Sequence, residues 1–581
     1  LLVRQTALEA AGQLAAPQLL GATLNALSEP QLEAIALQSL SESGESSIDA
    51  LWEAYGDDDQ SFRIRRHILV LLGKMKSEIS SNLLFEHLEN SDPELEEELL
   101  YALHDADFKA NSVHFNQIEA RINLEGKRAI TLLQALTAYA DATMQGAIHL
   151  RETLQHEFEK VIQRMLLLAC FFAPNLPFRR MYASIYLGQT KDIAFYCELV
   201  EQSLPGHIAK RLVPLIEPLD QATRVQKLAN IYNEELSEPL NDLMLMANGQ
   251  FASRSAWLAV CAGWFFDELT RSGSVDTGTH SLKNIYLERK VQRLQNIDIF
   301  SRCSKAMLAE ALNCFEIREV KEGDVVVTKG LPQNSLYVVE TGALKSTEEH
   351  FREGQCFGDE ALVGAELVHE TTHAETDSHI MVLSREDFSL LLQYNLPLYL
   401  SVLEGLLLQI ISALTKREEK ISPTPSANKQ NDSRDLNSLI EQELLVKSCA
   451  LFEKLDRTAL QQLLISAQII TLEPGESLYQ QGEPSQHLYI VGSGDITLHS
   501  DETVRLYLER GASFGKYSYL SAGGALPTNA RTEQGAVVLQ IDGGSIDSMI
   551  WASREQIEMT IGYLSSAQRA LSPKLQEFTW F

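Results

Sequence analysis

The sequence predicts a multidomain protein in which an all-α solenoid is followed by two copies of a smaller, strand-rich unit with flanking helices. Three observations carry this prediction. Apolar residues recur with a helical period of 3.6 across the first 290 residues. Two later stretches are rich in valine, with glycine and proline at turn spacing. These two stretches also repeat each other, so we divide the chain into 1-290, 291-415, a flexible linker at 416-438, and 439-581.

The helical part contains a repeat of about one hairpin. Leu8, Leu37, Leu69 and Leu99 occupy similar apolar stretches and are separated by 29, 32 and 30 residues. Breaks rich in Gly, Pro, Asp and Ser lie between these stretches, and such residues end one helix and cap the next. Isolated hairpins cannot bury their apolar faces, so we expect them to stack into a solenoid.

This pattern resembles HEAT repeats. Small residues lie near the predicted hairpin crossings at Ala11, Gly12 and Gly73, and the arginine-rich SFRIRRH at 61-67 fits the looser signature of that family. The resemblance implies a concave surface that holds protein partners. A purely structural helical array is the competing interpretation.

The strand-rich units are duplicates of one sequence. Gly330 and Tyr337 in the first unit match Gly482 and Tyr489 in the second, each at a separation of 152 residues. Four more pairs keep this separation: Phe300 with Phe452, Leu308 with Leu460, Gly323 with Gly475, and Gly342 with Gly494. Six pairs at one separation indicate a duplication.

Each copy contains a lead-in ending in IF or LF, then G-x-x-(V/L)-x-x-x-G, then LY(V/I)V, a turn glycine and FG. This order resembles the cyclic nucleotide-binding domain of the catabolite activator protein, protein kinase A regulatory subunits and gated channels. The resemblance covers both copies. It implies a jelly-roll-like β-barrel flanked by helices, with a phosphate-binding cassette after the FG.

The family cassette uses a glutamate for the ribose hydroxyl and an arginine for the phosphate, and the first copy departs from both. Gly358, Ala361 and Thr371 match the pattern, but Asp359 stands at the glutamate position. An ungapped count puts Val368 at the arginine position. Together with Glu360, these residues form a weakened candidate ligand site: Gly358, Asp359, Glu360, Ala361 and Thr371.

The second cassette departs further. Gly515 is followed by Lys516 in place of glutamate. The later tail keeps Pro527 and Ala530 of the family pattern but has Thr528 at the arginine position, and Arg531 comes three residues later. Losing the charge-assisted bond to phosphate costs about 1.5–3 kcal/mol, or roughly tenfold to over a hundredfold in affinity. We therefore expect no cofactor and degenerate cassettes. The alternative is a genuine sensor in which Lys516 or Arg531 binds an anion and the closing helix shifts.

The stretch HETTH at 369-373 has the spacing of a zinc peptidase motif, with His369 and His373 as ligands and Glu370 as base. The barrel register predicts extended structure here, which would hold the two histidines about 13 Å apart. We therefore reject a zinc hydrolase and expect His369, His373 and His379 to form a polar stripe on one strand face. We predict no enzyme, no catalytic residue and no metal.

Composition limits the classes of partner and the cell compartment that we expect for this chain. The formal net charge of -30 disfavours nucleic acid. The seven cysteines are scattered and never spaced as C-x-x-C, which predicts a reducing cytoplasm. The longest apolar runs are shorter than the roughly 20 residues of a spanning helix.

The order of helical repeats and nucleotide-binding-like domains resembles bacterial fusions that follow an ATP/ADP-translocase-like transporter. The stretch 158-188 is similar to the repeat region of those fusions, and the chain opens without Met inside a helical pattern, so we expect an upstream transmembrane domain. The resulting hypothesis is a non-enzymatic scaffold or regulatory module at the cytoplasmic face of the inner membrane. We also expect it to form homo-oligomers through apolar helices at 401-415 and 556-571.

Overall fold

The computed structural model describes residues 2–551 with gaps, together with Ile557 and Thr560. The gaps are 16, 28, 30, 58–59, 91, 93, 251–254, 273–282, 365, 417–435, 437, 450–451, 453–454, 456, 466, 484–486, 501–502, 516–525 and 527. The chain divides into two compact units, Leu1–Tyr394 and Asn395–Phe581. Most of the predicted linker and nearly all of the predicted helix at 556-571 lie outside the described residues.

The described residues up to Gln295 form mainly helices, and a helical region was predicted over 1-290. Side-chain caps start several of these helices; the Ser61 hydroxyl, for example, accepts from the Ile64 amide at 3.3 Å. The helices are α1 Leu2–Leu14, α2 Pro17–Ala26, α3 Glu33–Glu42, α4 Ile48–Tyr55, α5 Phe62–Lys74, α6 Glu78–His87, α7 Glu96–Asp105, α8 Phe115–Ala138, α9 Gln145–Phe172, α10 Phe178–Tyr186, α11 Thr190–Ser203, α12 Gly206–Ile216, α13 Gln221–Tyr232, α14 Pro239–Ala247, α15 Ala256–Arg271 and α16 Lys283–Gln295.

Alternate helices of this region pack on one another. Helix α1 packs on α3, α3 on α5, α5 on α7 and α7 on α9. Glycines lie where the helices come closest: a Cβ on Gly12 would lie 2.8 Å from the Ser39 Cα, and one on Gly73 would lie 2.8 Å from the Ala102 Cα. Only glycine permits this approach, which explains the small residues noted at these crossings.

The first strand-rich unit forms two four-stranded antiparallel sheets, ordered β1-β10-β4-β7 and β2-β9-β5-β6, plus the pair β3-β8. Both four-stranded sheets contribute to one apolar core. Its elements are α17 Lys305–Ala311, β1 Glu316–Val320, β2 Val325–Val327, β3 Pro332–Gln333, β4 Ser335–Thr341, β5 Ala343–Lys345, β6 His350–Arg352, β7 Cys356–Phe357, α18 Glu360–Val363, β8 Glu366–Leu367, β9 Thr372–Ala374, β10 Ser378–Ser384 and α19 Arg385–Tyr394.

The second strand-rich unit repeats this topology, with sheets ordered β11-β18-β13-β16 and β12-β17-β14-β15. Helix α20 precedes it and includes the apolar stretch 401-415. The elements are α20 Leu396–Lys416, α21 Leu439–Lys447, α22 Arg457–Ile465, β11 Gln468–Leu472, β12 Ser477–Tyr479, β13 His487–Gly494, β14 Ile496–Ser500, β15 Thr503–Leu508, β16 Ser513–Phe514, β17 Asn529–Arg531, β18 Ala536–Asp542 and α23 Gly543–Trp551. Within the described residues, no helix is both long and apolar enough to cross a bilayer.

Candidate functional site

The first cassette begins at a glycine that nothing else could replace. Gly358 has φ +84°, and a Cβ there would lie 2.5 Å from the carbonyl oxygen of Ser335. The preceding Phe357 pairs with Tyr337 across β7 and β4, and their rings stack with centroids 4.9 Å apart. The short helix α18 follows at once, with the Ala361 amide donating to the Gly358 carbonyl at 3.1 Å.

Asp359 lies at the start of α18, partly buried, and its carbonyl accepts from the Leu362 amide at 3.1 Å. Its side chain does not cap the helix. Burial, with the Asp359 carboxylate adding to it, raises the pKa of the neighbouring Cys356 thiol to about 11. Glu360 is exposed on the first turn of α18, and Ala361 is buried beneath it.

Thr371 has a structural partner. Its hydroxyl accepts from the Lys329 amide at 3.0 Å, just before the glycine turn at Gly330. The second barrel makes the same bond with Asn529, whose side-chain oxygen accepts from the Gln481 amide at 2.7 Å. This position therefore fixes the glycine turn in both barrels.

The position counted as the phosphate arginine in the first copy is part of the barrel core. Val368 is 5% exposed and packs in the cluster that includes Tyr337 and Val339. Its backbone is also occupied, because its amide donates to the Leu331 carbonyl and its carbonyl accepts from the Gly330 amide, both at 2.8 Å. An apolar side chain thus fills the place where the family pattern needs a cation.

The second barrel repeats this arrangement with Leu526. The Leu526 amide donates to the Glu483 carbonyl at 2.8 Å, and the Leu526 carbonyl accepts from the Gly482 amide at 2.9 Å. Leu526 is 2% exposed and packs in a core with Tyr489 and Phe514. Both barrels therefore hold a buried aliphatic residue at one equivalent position.

The strand register in the two barrels shows which residues of the two copies correspond. Thr372 pairs with Val327 in the first barrel and Ala530 pairs with Tyr479 in the second, a separation of 158 for the first members. Val368 therefore corresponds to Leu526, so Val368 and Thr528, the two predicted arginine positions, are not equivalent. Val368 lies 10 residues after Gly358 and Leu526 lies 11 after Gly515, so the connection after the FG is one residue longer in the second copy.

Of the remaining predicted residues of the second cassette, the structure describes Gly515 and Arg531. Gly515 has φ +85°, and a Cβ there would lie 3.0 Å from the His487 carbonyl oxygen. Lys516 lies outside the described residues. Arg531 is exposed on β17, next to the buried Ala530, so strand alternation turns it away from the core. The Arg531 guanidinium lies 3.4 Å from the Glu533 carboxylate.

Arg385, which the sequence did not indicate as a site residue, holds the first cassette in place. The Nε of Arg385 donates to the Ala361 carbonyl at 2.7 Å, and its terminal nitrogen donates to the Gln333 carbonyl at 3.2 Å and to the Gly364 carbonyl. Arg385 begins α19, so one side chain ties the cassette, the β3 strand and the closing helix together. It lies 17 positions after Val368, beyond the range in which a motif search expects the arginine.

The HETTH residues occupy a bend and a strand. His373 lies on β9 opposite Val325 and is exposed, and His369 is exposed in the preceding bend. His379 lies on a different strand, β10, so the predicted stripe on one strand face was wrong for this residue. The Ser346 hydroxyl and nearby amides hold Glu370 and lower the pKa of its carboxyl group.

Among the described residues, three buried side chains of metal-ligating type converge elsewhere. One ligand atom each from Glu33, His67 and Asp387 lies within 4.8 Å of the other two. Arg63 already bonds both carboxylates. Burial disfavours a charged imidazole, yet the Asp387 and Glu33 carboxylates outweigh it and raise the pKa of His67 to about 9. Arg63 and His67 thus pair with both carboxylates in one buried ion-pair cluster.

The cluster joins the helical region to the closing helix of the first barrel. Glu33 is on α3, Arg63 and His67 are on α5, and Asp387 is on α19. His67 lies 3.0 Å from one Asp387 oxygen and 3.1 Å from a Glu33 oxygen. Burial opposes ionisation of Asp387, but His67 and Arg63 hold its pKa well below the usual range.

The far end of α19 is held as well. The Tyr394 carbonyl accepts from the Tyr101 hydroxyl at 3.0 Å and from the Gln163 amide group at 2.7 Å. The Gln393 carbonyl accepts from Arg179 at 2.7 Å. The closing helix is therefore bonded to the helical region at both ends.

A second ionic link reaches the lead-in helix α17. Its Glu310 lies 2.8 Å from Lys160 and 3.0 Å from His156, both on α9. Burial opposes the charged forms, but this pairing raises the pKa of Lys160 and lowers that of Glu310. Helices on both sides of the first barrel are thus fixed to the helical array.

Comparison with known proteins agrees with the barrel geometry. Residues 317–395 and 469–552 match the family described as the cyclic nucleotide-binding domain. The chain carries two cyclic nucleotide-binding domains. They follow a helical N-terminal region, and the matched family is a binding domain rather than a catalytic one.

A curated relative is a cAMP-dependent protein kinase regulatory subunit from Yarrowia lipolytica, 26% identical over 160 residues. The match covers 26% of this chain and 41% of the relative, so the chain spans less than half of that protein's length.

Several solved structures are also similar. The regulatory domain of Toxoplasma gondii PKA crystallised with cAMP is 15% identical, with a TM-score of 0.17, covering 51% of this chain and 98% of its own. The regulatory subunit of a cAMP-independent protein kinase A from Trypanosoma brucei is 16% identical, with a TM-score of 0.19, covering 48% and 88%. The sensor domain of the transcriptional regulator DNR from Pseudomonas aeruginosa is 19% identical, with a TM-score of 0.20, covering 24% and 99%.

Proposed function

We propose that this chain is a non-enzymatic regulatory scaffold in which both cyclic nucleotide-binding domains have lost their ligand and serve as contact modules. One observation carries the proposal: the equivalent residues Val368 and Leu526 are buried apolar core residues. An anionic phosphate entering either barrel would meet an aliphatic side chain where a guanidinium is needed. The lost bond weakens affinity by roughly tenfold to over a hundredfold.

The contacts of α19, the closing helix of the first barrel, favour a barrel that is fixed in place over one that acts as a sensor. A sensor needs α19 to shift when the ligand binds. Here Asp387 is buried in the ion-pair cluster with Arg63 and His67, and Tyr394 is bonded at the other end. Removing one partner of a buried ion pair typically costs about 3–5 kcal/mol. A ligand that has lost its main charged contact supplies too little differential binding energy to move this helix.

The finer parts of the proposal concern what the scaffold serves. We take the helical region to be a HEAT-like solenoid that holds protein partners, and the alternate packing of α1, α3, α5, α7 and α9 supports this. We place the chain in the cytoplasm, attached to a transporter-like domain at the inner membrane. The support for this attachment is the domain order and the stretch 158-188.

The direct test is isothermal titration calorimetry of the whole chain with cyclic AMP, cyclic GMP and cyclic di-GMP. We expect no saturable heat up to about 1 mM ligand, where a binding free energy near −4.1 kcal/mol would become visible. The Asp359→Ala variant serves as the matched arm and should behave like the parent. Micromolar binding that disappears in Asp359→Ala would show that the first cassette is a working sensor.

A further inference from the structure

The buried ion-pair cluster at the start of α19 has one carboxyl group more than its cations can pair with. Arg63 and the protonated His67 supply two positive charges. Glu33 and Asp387 supply two negative charges, so these four groups balance. Glu386 lies beside Asp387 in the first turn of α19 and is partly buried. An ionised Glu386 would bring a further negative charge, without its own cation, into a site largely removed from water.

Hydrogen bonding within the cluster is also incomplete. Glu33 and Glu386 each have a buried carboxylate oxygen, Oε2, with no hydrogen-bond partner among the residues that the structure describes. The other oxygen of Glu33 accepts from the Ser384 hydroxyl at 3.3 Å and pairs with Arg63. A buried oxygen without a donor costs free energy, whereas a protonated carboxyl group is itself a donor. A proton on Glu386 therefore removes the extra charge and adds a donor where acceptors are in excess.

The surroundings of Glu386 favour its protonated form. Burial raises the pKa of its carboxyl group to about 7, and the Glu33 carboxylate on α3 adds to this rise. Arg385 on α19 and His67 on α5 act in the opposite direction but are outweighed. The titratable side chains on the other elements near α19 lie closer to the surface: Glu316 on β1, Glu360 on α18 and His379 on β10.

We propose that Glu386 is a proton-controlled latch between the first barrel and the helical region. With its proton, Glu386 completes the cluster, and α19 stays docked on α3 and α5. Without its proton, repulsion between Glu386 and Glu33 weakens the docking of α19. The latch responds to acidity and needs no nucleotide, so it is a form of regulation beyond the proposed scaffold function.

Linkage gives the direction of the response. The docked form holds the proton of Glu386 up to about pH 7, whereas an exposed glutamate releases it near the ordinary value of 4.5. Docking is therefore favoured most at pH 4.5 and below, and this advantage is lost as the pH rises toward 7. His67 keeps its proton over this range, because the two carboxylates raise its pKa to about 9.

Hydrogen–deuterium exchange of the whole chain at about pH 5 and about pH 7.5 tests the latch, with rates corrected for the intrinsic pH dependence of amide exchange. We expect the protection of residues 385–394 to fall at least about tenfold between these two pH values. Residues 543–551 are an internal control, since the strand register places Gly544 in the second barrel where Glu386 stands in the first. Their protection should stay the same.

Variants assign the response to Glu386. Glu386→Gln keeps the size of the side chain but cannot ionise, so α19 should remain protected at both pH values. Glu360→Gln removes an exposed carboxylate from the same barrel and should keep the response of the parent chain. Glu386→Ala repeats the test without an amide group in the cluster and should likewise show no response. Equal protection of α19 at both pH values in the parent, or a response that persists in Glu386→Gln, would overturn the proposal.

Discussion

The two barrels share a topology and a filled arginine position but differ in the helix that closes them. The first closing helix opens with Arg385, Glu386 and Asp387, and the strand register places Gly543, Gly544 and Ser545 at the same positions in the second. In the first copy, Arg385 bonds the cassette and Asp387 pairs with residues of the helical region. The three residues at these positions in the second copy include no charged residue. Both copies therefore lack the phosphate arginine. The ion pairs between the start of the closing helix and the helical region are a feature of the first copy.

This difference teaches that one duplicated fold has been adapted twice. Val368 and Leu526 turn the place of the phosphate contact into core in both barrels. Only the first barrel uses the start of its closing helix for buried ion pairs. In the second, Asp542 caps the helix locally, and its carboxylate accepts from the Ser545 amide at 2.9 Å.

The largest effect is expected when Asp387 in the first closing helix is replaced by serine, the residue at the same position in the second. Asp387→Ser leaves the buried Arg63 and His67 with Glu33 as the one remaining carboxylate of the cluster, and we expect residues 1–394 to lose about 3–5 kcal/mol of unfolding free energy. Urea denaturation followed by circular dichroism measures this. Ser545→Ala, the matched change in the second barrel, removes the bond from the Ser545 hydroxyl to the Asp542 carboxylate and should cost about 1 kcal/mol. Equal losses at the two positions would mean that the cluster does not hold the first barrel in place.

The same cluster predicts a dependence of stability on pH. The folded state raises the pKa of His67 from 6.5 to about 9, so its contribution is complete below pH 6.5 and is lost as the pH rises through 9. Burial raises the pKa of Glu386 to about 7, and its opposing effect is therefore complete near pH 7. Between pH 7 and 9 we expect a loss of about 2 kcal/mol.

Chemical denaturation at a series of pH values checks this, with His67→Gln as the comparison. The variant should be less stable at pH 7 and should lose less stability between pH 7 and 9 than the parent. Parallel curves for the two proteins would exclude His67 as the titrating group.

Arg385 and Gly543 sharpen the comparison at the cassettes. Arg385→Gly removes the bonds to the Ala361 and Gln333 carbonyls and should open the first cassette. We expect hydrogen exchange over 359–364 to quicken about tenfold, equivalent to about 1.4 kcal/mol. Arg352→Gly on β6 is the matched control, since Arg352 is exposed. Unchanged exchange in Arg385→Gly would assign the order of the cassette to its own backbone bonds.

The smallest effects are expected when the two core residues are exchanged. Val368→Leu and Leu526→Val each keep an aliphatic side chain in the barrel core, and each should cost less than about 1.5 kcal/mol. Thermal melting reads this directly. A much larger loss in one barrel alone would show that the two positions are not equivalent.

The sequence predicted the parts of the fold that depend on local pattern. The helical period predicted the helical region, and the alternation of strands with turn glycines predicted two strand-rich units, because each pattern reflects a backbone requirement near in sequence. The barrel itself was implied by the family resemblance. The sequence could not place Arg385 on the cassette, since a contact between residues 24 positions apart leaves no periodic signal. The pairing of Arg63 with Asp387 spans 324 residues and is set by tertiary packing alone. The correspondence of Leu526 with Val368 also follows from strand pairing, which the local motif around Pro527 and Ala530 does not contain.

The most direct test of the central claim is hydrogen–deuterium exchange across 385–394 of the whole chain, with and without about 1 mM cyclic AMP. If the first barrel is a fixed contact module, α19 exchanges slowly and at the same rate in both samples. A ligand-dependent change in the exchange of α19 would contradict the claim, because it would show that the closing helix still responds to a nucleotide.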